Sequence, residues 1–323
     1  MRGTRLFLAA AMACSVYTPA FALEGPTAAG PIGGYDIRSA QLPPPGVYGG
    51  VIFLAAEAYD FLDGDGKTIP AFRDANLTKY LAGPFLYFVP DVKVLGGSVG
   101  IGGIVPLGVQ CGHLFVGEAD DCREGFGDPY VEIDWSRSFG KLRPSKFEGA
   151  PPIQGGLTVL AGFGVVFPAG TFTASDPTRQ ALSIGTHTWD FAPTFGITYT
   201  TRPMLADGTE LSVRFLWNNY LENTATRYST GDLLDLEFAL TERIGRFQVG
   251  VTGFYAWQSE DDELFGVPIP PDGRRIKVFQ IGPILNYDIP EFGSSMKVKA
   301  LFTGPVENGV RSWGVAFGWV KKL

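Results

Sequence analysis

The strongest constraint in this chain is an alternation of period two that runs from about residue 46 almost to the C-terminus. In a strand successive side chains point to opposite faces, so residues i, i+2 and i+4 share one surface. Between 188 and 200, Trp189, Phe191, Pro193, Phe195, Ile197 and Tyr199 fall on one face. Thr188, Asp190, Ala192, Thr194, Gly196, Thr198 and Thr200 fall on the other. The same division sets Leu211, Val213, Phe215 and Trp217 against Glu210, Ser212, Arg214 and Asn218, and Leu234, Leu236, Phe238 and Leu240 against Asp235, Glu237, Ala239 and Thr241. Near the end, Trp313, Val315, Phe317 and Trp319 oppose Ser312, Gly314, Ala316 and Gly318. Helical spacing would scatter these residues around a cylinder, so the chain reads as all-β.

About twelve strands follow, near 46–59, 76–89, 92–106, 125–136, 154–168, 184–200, 208–219, 231–242, 245–258, 275–288, 294–303 and 310–320. Long connections (60–75, 107–124, 169–183, 220–230, 259–274) tend to alternate with short ones (Pro90-Asp91, 201–207, 243–244, Pro290–Gly293), and the 137–153 stretch breaks the pattern. An even strand count with long loops at one end and short turns at the other describes a transmembrane antiparallel β-barrel. A soluble sandwich or barrel also alternates, but it fills its interior with apolar side chains. Here the apolar face is aromatic, with Trp135, Tyr199, Trp217, Trp257, Tyr287 and Trp319 near strand ends, and the opposite face carries glycine and charge. Closure has a physical reason: in hydrocarbon every backbone N–H and C=O must be paired within the protein, and a closed sheet has no free edge.

The first 22 residues stand apart. Arg2 and Arg5 form a basic start, Leu6 to Val16 is mostly apolar, and Ala20-Phe21-Ala22 is a small-x-small cleavage site, so 1–22 reads as a secretory signal peptide. A lipoprotein anchor at Cys14 fits less well, because it leaves a very short apolar region. Loss of Arg2 and Arg5 moves the net charge from −7 to −9. An exported acidic chain is no nucleic-acid binder. Residues 23–45, rich in Gly, Pro and Ala, form either a flexible lead-in or a plug folded back into the lumen, and 46–323 is the barrel.

Within the exported chain, Cys111 and Cys122 read first as a disulfide closing one loop, with two free thiols as the alternative. The chain holds only two histidines, His113 and His187, and no Cys-x-x-Cys spacing, so no metal site and no cofactor are expected. Asp128, Glu132, Asp134, Asp190, Arg214, Asp235, Glu237 and Arg246 are the expected lumen-lining charges, joined by Lys297 and Lys299. Opposite charges across a narrow interior pair with one another and support the wall; contact with a solute is the second reading. His187 beside Asp190 and Ser183 is the one local candidate for a hydrolytic site, and such a trio arises easily by chance near a loop.

Several segments resemble a bacterial outer-membrane family linked to the meta-pathway of phenol degradation, a relative of the long-chain fatty-acid transporter barrels. They are Leu42-Pro43-Pro44-Pro45-Gly46-Val47-Tyr48-Gly49, Gly125-Phe126-Gly127-Asp128-Pro129 followed by Trp135, Phe167-Pro168-Ala169-Gly170-Thr171-Phe172, and Gly185-Thr186-His187-Thr188-Trp189, where His187 replaces an expected Asn. Tyr228-Ser229-Thr230-Gly231, Val249-Gly250-Val251-Thr252-Gly253-Phe254-Tyr255 and Ile281-Gly282-Pro283 continue the match. The C-terminal Trp319-Val320-Lys321-Lys322-Leu323 departs from the usual terminal aromatic residue.

The resemblance implies a Gram-negative outer-membrane channel or transporter for small hydrophobic or aromatic compounds, and it brings no defined binding residues. The expected partners are outer-membrane lipid and a small organic solute. Alternatives are a structural or adhesive surface barrel, whose acidic loop Ser259-Glu260-Asp261-Asp262-Glu263 would meet partners, and a lipid-modifying enzyme. A hydrophobic solute sits awkwardly with a charged lumen, which a side exit near Gly96–Gly103 or Gly162–Gly164 would resolve; glycine there also serves simply as a bend.

Overall fold

The computed structural model describes residues 32–323; the expected signal peptide and the first part of the 23–45 segment lie outside the described residues. Fourteen strand segments build the wall. They are β1 (Gly46–Phe61), β2 (Asn76–Val89), β3 (Gly97–Ile104), β4 (Leu107–His113), β5 (Asp121–Phe126), β6 (Tyr130–Ser138) and β7 (Gly156–Val166). The rest are β8 (Asp190–Thr200), β9 (Gly208–Tyr220), β10 (Leu233–Ile244), β11 (Phe247–Gln258), β12 (Lys277–Ile289), β13 (Ser294–Glu307) and β14 (Val310–Lys322). β4 continues β3 across Val105-Pro106, and β6 continues β5 across Gly127-Asp128-Pro129, so both are single strands broken at a proline.

Every neighbouring pair is antiparallel. The ring closes where β14 meets β1 (Tyr48 opposite Lys322) and where β2 meets β3 (Phe85 opposite Ile104), giving a closed barrel of 12 strands.

The alternation read from the sequence sorts the two faces. Along β8, Phe195 and Tyr199 are each 50% exposed on the outer surface, while Thr194 and Thr198 on the inner face are 6% and 0% exposed. Strand direction puts Trp135, Tyr199, Tyr287 and Trp319 near the short-turn end and Trp217 and Trp257 near the long-loop end. These are the positions of two aromatic belts around an apolar band.

Three strand boundaries differ from expectation. The stretch 107–124 is largely the β4–β5 hairpin, which carries the wall beyond the end of β7, with Cys111 and Cys122 bonded as direct cross-strand partners. The segment 184–189 is not strand. Asp128 gathers it into a turn by accepting hydrogen bonds from Thr186 N (2.6 Å), Thr186 Oγ1 (2.8 Å) and His187 N (3.3 Å). His187 sits there at φ 58°, a left-handed position where Asn, Asp and His are enriched, so a histidine can stand where an Asn is expected. The 139–155 connection folds into a small ladder, Leu142–Arg143 against Ile153–Gln154.

At the long-loop end, Phe61, Phe72, Ala75, Leu77, Leu114, Ala181 and Leu182 pack into one apolar cluster. It joins the β1–β2, β4–β5 and β7–β8 loops into a cap. A short helix, α1 (Pro177–Ala181), lies in that cap and begins at Asp176, whose side chain accepts from Arg179 N.

Candidate functional site

Inside the barrel the inner face changes character along the axis. Toward the short turns it presents Ser136, Thr198, Glu210, Ser212, Arg243, Gln248, Asn286 and Asp288, all buried. Here the chain that precedes β1 folds back into the lumen. Arg38 pairs with Asp288 at 3.0 Å and its N–H donates to Glu210 Oε1 at 2.8 Å. Ala40 N donates to Thr198 Oγ1 at 3.1 Å, and Ala40 O accepts from Ser136 Oγ at 2.5 Å. Residues 32–41 are therefore a plug held by the wall.

Midway up, the plug meets the charges expected from the sequence. Arg214 bridges Glu132 (2.7 Å) and Asp134 (3.1 Å), and its guanidinium lies 3.7 Å from the centre of the Tyr35 ring. Glu132 also accepts from the hydroxyls of Tyr35 (2.5 Å) and Tyr130 (2.6 Å), and Asp134 from that of Tyr87 (2.9 Å). Glu237 accepts from Gly34 N at 3.0 Å and Tyr35 N at 2.5 Å. Asp36 of the plug is clamped by Lys297 (2.6 Å) and Lys299 (2.9 Å). Buried charges this close to one another stabilise only as complete sets, because an orphan costs several kcal/mol.

Of the eight expected lumen charges, Glu132, Asp134, Arg214 and Glu237 thus form one network with the plug. Asp235 is fully buried on the same face of β10, and Asp190 is buried opposite Tyr220 where β8 meets β9. Asp128 is the clip of the 184–189 turn and lines the chamber above the plug. Arg246 departs from expectation. It lies in the β10–β11 turn and pairs with exposed Glu291, because the strand parity that aims it inward ends at the turn.

The glycines considered for a side exit serve interior packing instead. A Cβ at Gly100 or Gly102 would collide with the Tyr87 ring, one at Gly162 with Asp134, and one at Gly164 with the Tyr130 hydroxyl. The missing side chains make room for the buried tyrosines and carboxylate.

The ladder is interrupted elsewhere. Val105 N donates to Pro84 O (3.2 Å), Gly127 N to Pro106 O (2.8 Å) and Phe167 N to Pro129 O (2.9 Å), so a row of three prolines stands at one level on three adjacent strands. Each proline lacks the N–H that would continue the ladder. Above this row β7 has ended. Among the described residues, β5 meets the following segment through Thr171 N to Phe126 O (2.7 Å) and Phe126 N to Thr171 Oγ1 (3.2 Å).

Between plug and cap lies a cavity of about 620 Å³. Ile32 and Gly33 form its floor, Phe172 and Ile184 belong to its roof, and Leu54, Leu81, Ile104, Val166, Phe254 and Leu301 are among its walls. It reaches the wall at Pro106 and Gly127, in the proline row. This is the size and character of a small-molecule site, which is concave and predominantly apolar with few polar groups. The plug contacts and Lys79, on the cavity wall, escaped sequence reasoning. Their signal was faint: a polar residue at an inward parity position between Leu77 and Leu81, and charges in a segment without strand pattern.

The trio His187, Asp190 and Ser183 does not assemble into a nucleophile and base. Ser183 Oγ donates to Arg179 O and accepts from Thr173 N, each at 3.0 Å, and the His187 ring stacks on Phe172 at 5.4 Å.

The model of the family described as "Putative MetA-pathway of phenol degradation" matches residues 60–319. An outer membrane channel from Pseudomonas putida F1 shares the fold, with a TM-score of 0.69 at 14% identity over 90% of this chain and 100% of that one. The β domain of the Bordetella autotransporter BrkA gives a TM-score of 0.46 at 12% identity, over 85% and 99% of the two chains. The CymD monoaromatic hydrocarbon channel gives 0.31 at 9% identity, over 88% and 90%. At these identities the likeness is one of fold alone. No curated protein sequence matches the chain.

Proposed function

The chain belongs to this phenol-degradation family of outer-membrane barrels, and we propose that it is a passive channel for small hydrophobic or aromatic organic compounds. The observation that carries the reading is the apolar chamber of about 620 Å³ bounded by barrel wall, plug and loop cap. A solute that partitions from water into such a chamber gains roughly 25 cal/mol for each Å² of apolar surface it buries. Movement then runs down a gradient.

The plug is tied to the wall by complete ion pairs and lies across the axial path. The proline row weakens the ladder beside the chamber, so the solute leaves through the wall there. This route reconciles an apolar solute with a charged lumen: the solute never enters the charged half. No catalytic chemistry is assigned to the barrel in this reading.

A plug lock tests both parts. The ideal Cβ position at Gly196 lies 3.5 Å from Ala40 Cβ, within disulfide range, so Ala40→Cys with Gly196→Cys would fasten the plug. Flux of a neutral aromatic such as toluene into liposomes, without ATP or ion gradients, is expected to be the same with the lock oxidised or reduced. Flux that falls on oxidation and returns on reduction would assign the axial route instead. No flux above protein-free liposomes from the wild type would remove the channel reading altogether.

A further inference from the structure

One charged side chain in the chamber's lining has no polar partner among the described residues. Lys79 projects from the inner face of β2 between Leu77 and Leu81, opposite Ala56 of β1 and Gln110 of β4. Among the described residues it has no ion pair and no hydrogen bond. The other charges at the cavity are all satisfied. Lys297 and Lys299 share Asp36, and Asp128 accepts the amides of the 184–187 turn and Gly170. Glu57 accepts from Trp313 Nε1 (3.1 Å) and Asn76 Nδ2 (3.1 Å).

An ammonium facing an apolar chamber without a counter-charge is costly, and a ligand that brings the opposite charge removes that cost. We infer that the chamber binds monocarboxylates with an apolar body, an aromatic or short aliphatic acid, with the carboxylate on Lys79 Nζ and the body against Leu54, Leu81 and Phe254. This inference rests on the channel reading and specifies its substrate class.

Gln110 offers a second, weaker polar handle. Its Nε2 donates to Ala181 O at 2.8 Å, while its Oε1 is buried without a donor. A hydroxyl-bearing aromatic such as phenol would reach that oxygen only if the amide turned toward the cavity, and would leave the ammonium's charge uncompensated. Charge decides between the two, because hydrogen bonds to charged groups exceed neutral ones.

Binding of benzoate, toluene and phenol to the purified full chain in detergent, by equilibrium dialysis, tests the inference. Lys79→Met is expected to weaken benzoate by about tenfold or more, the loss of one charge-assisted hydrogen bond, and to leave toluene within about twofold. Lys79→Arg should keep benzoate binding, and Lys79→Gln should lose it as Lys79→Met does. Benzoate binding unchanged in Lys79→Met and Lys79→Gln, with toluene still bound, would overturn the carboxylate site and leave the channel reading intact. Equal loss of benzoate and toluene would also overturn it, since Lys79 would then only shape the chamber. Phenol depending on Lys79 while benzoate does not would assign a hydroxyl subsite instead. If the wild type binds neither toluene nor benzoate, the channel reading fails with it.

Discussion

The two halves of the lumen are built from the same strands with the same period, yet they do opposite things. Toward the short turns the inner face offers Thr198, Glu210, Gln248 and Asp288, and it holds a piece of the chain itself. Toward the loops it offers Leu54, Val166, Leu233, Ala256 and Ile276, and it lines the chamber. A single strand shows the change: β9 runs inward from Glu210 and Ser212 through Arg214 to Leu216. The lesson is that alternation fixes which face a residue joins but leaves the chemistry of that face free to vary along the strand. One end is used for tethering and the other for partitioning.

The largest test of this contrast falls on Arg214. Arg214→Ala leaves Glu132 and Asp134 buried side by side without their cation, and is expected to lower stability by about 3–5 kcal/mol. Thermal unfolding in detergent, followed by the gel shift of heated against unheated barrel, measures it. Arg38→Ala should cost less, because Arg243 still pairs with Asp288. Equal effects from the two would show that the mid-lumen network is no more coupled than the end of the plug.

Next in size, the inner and outer faces of one strand are compared at Leu236 and Asp235. Leu236→Arg places a cation in lipid and should cost about 2–4 kcal/mol near the midplane. Asp235→Asn removes a buried carboxylate from the lumen without changing its shape and should be milder. Greater loss from Asp235→Asn, by the same unfolding assay, would invert the assignment of faces.

The smallest expected effect lies outside the membrane, in the 201–207 turn. Burial works to raise the Asp207 pKa, but the Ser145 hydroxyl, the Lys146 and Gly245 amides and the Arg143 guanidinium outweigh it, so the carboxyl sits below its ordinary value. A depressed pKa contributes stability that is present above the unfolded-state value of about 3.9 and is lost as pH falls through the folded value. Asp207→Asn should therefore flatten the acid limb of the stability profile and leave the profile above that limb with its wild-type shape. A wild-type acid limb in the variant would locate the titration elsewhere, in the plug network.

How much was legible in the sequence follows from where the information resides. The alternation of Trp189 through Thr200 and the loop-length pattern are local, so the barrel, its strand count and its faces were readable, and Glu132, Asp134, Arg214 and Glu237 were placed inside by parity alone. Arg246 shows where parity stops, since a turn releases the side chain from the pleat and Glu291 lies within reach. Asp128 was expected on the wall of the lumen; its role in clipping the 184–189 turn depends on residues about sixty positions away. The segment before β1 carried no periodicity, and its place was settled by distant partners: Tyr35 meets Glu132, Asp36 meets Lys297, and Arg38 meets Asp288.

The glycines of β3 and β7 likewise waited on the side chains that fill them. What the sequence determined by itself was a closed sheet with an aromatic outside and a mixed inside, because backbone pairing and side-chain alternation act over a few residues. What tertiary structure alone decided was which interior charges meet the plug, and that Lys79 faces an apolar chamber with no partner among the described residues. Ion pairing in a barrel joins residues far apart in the chain, and no pattern within a single strand records it.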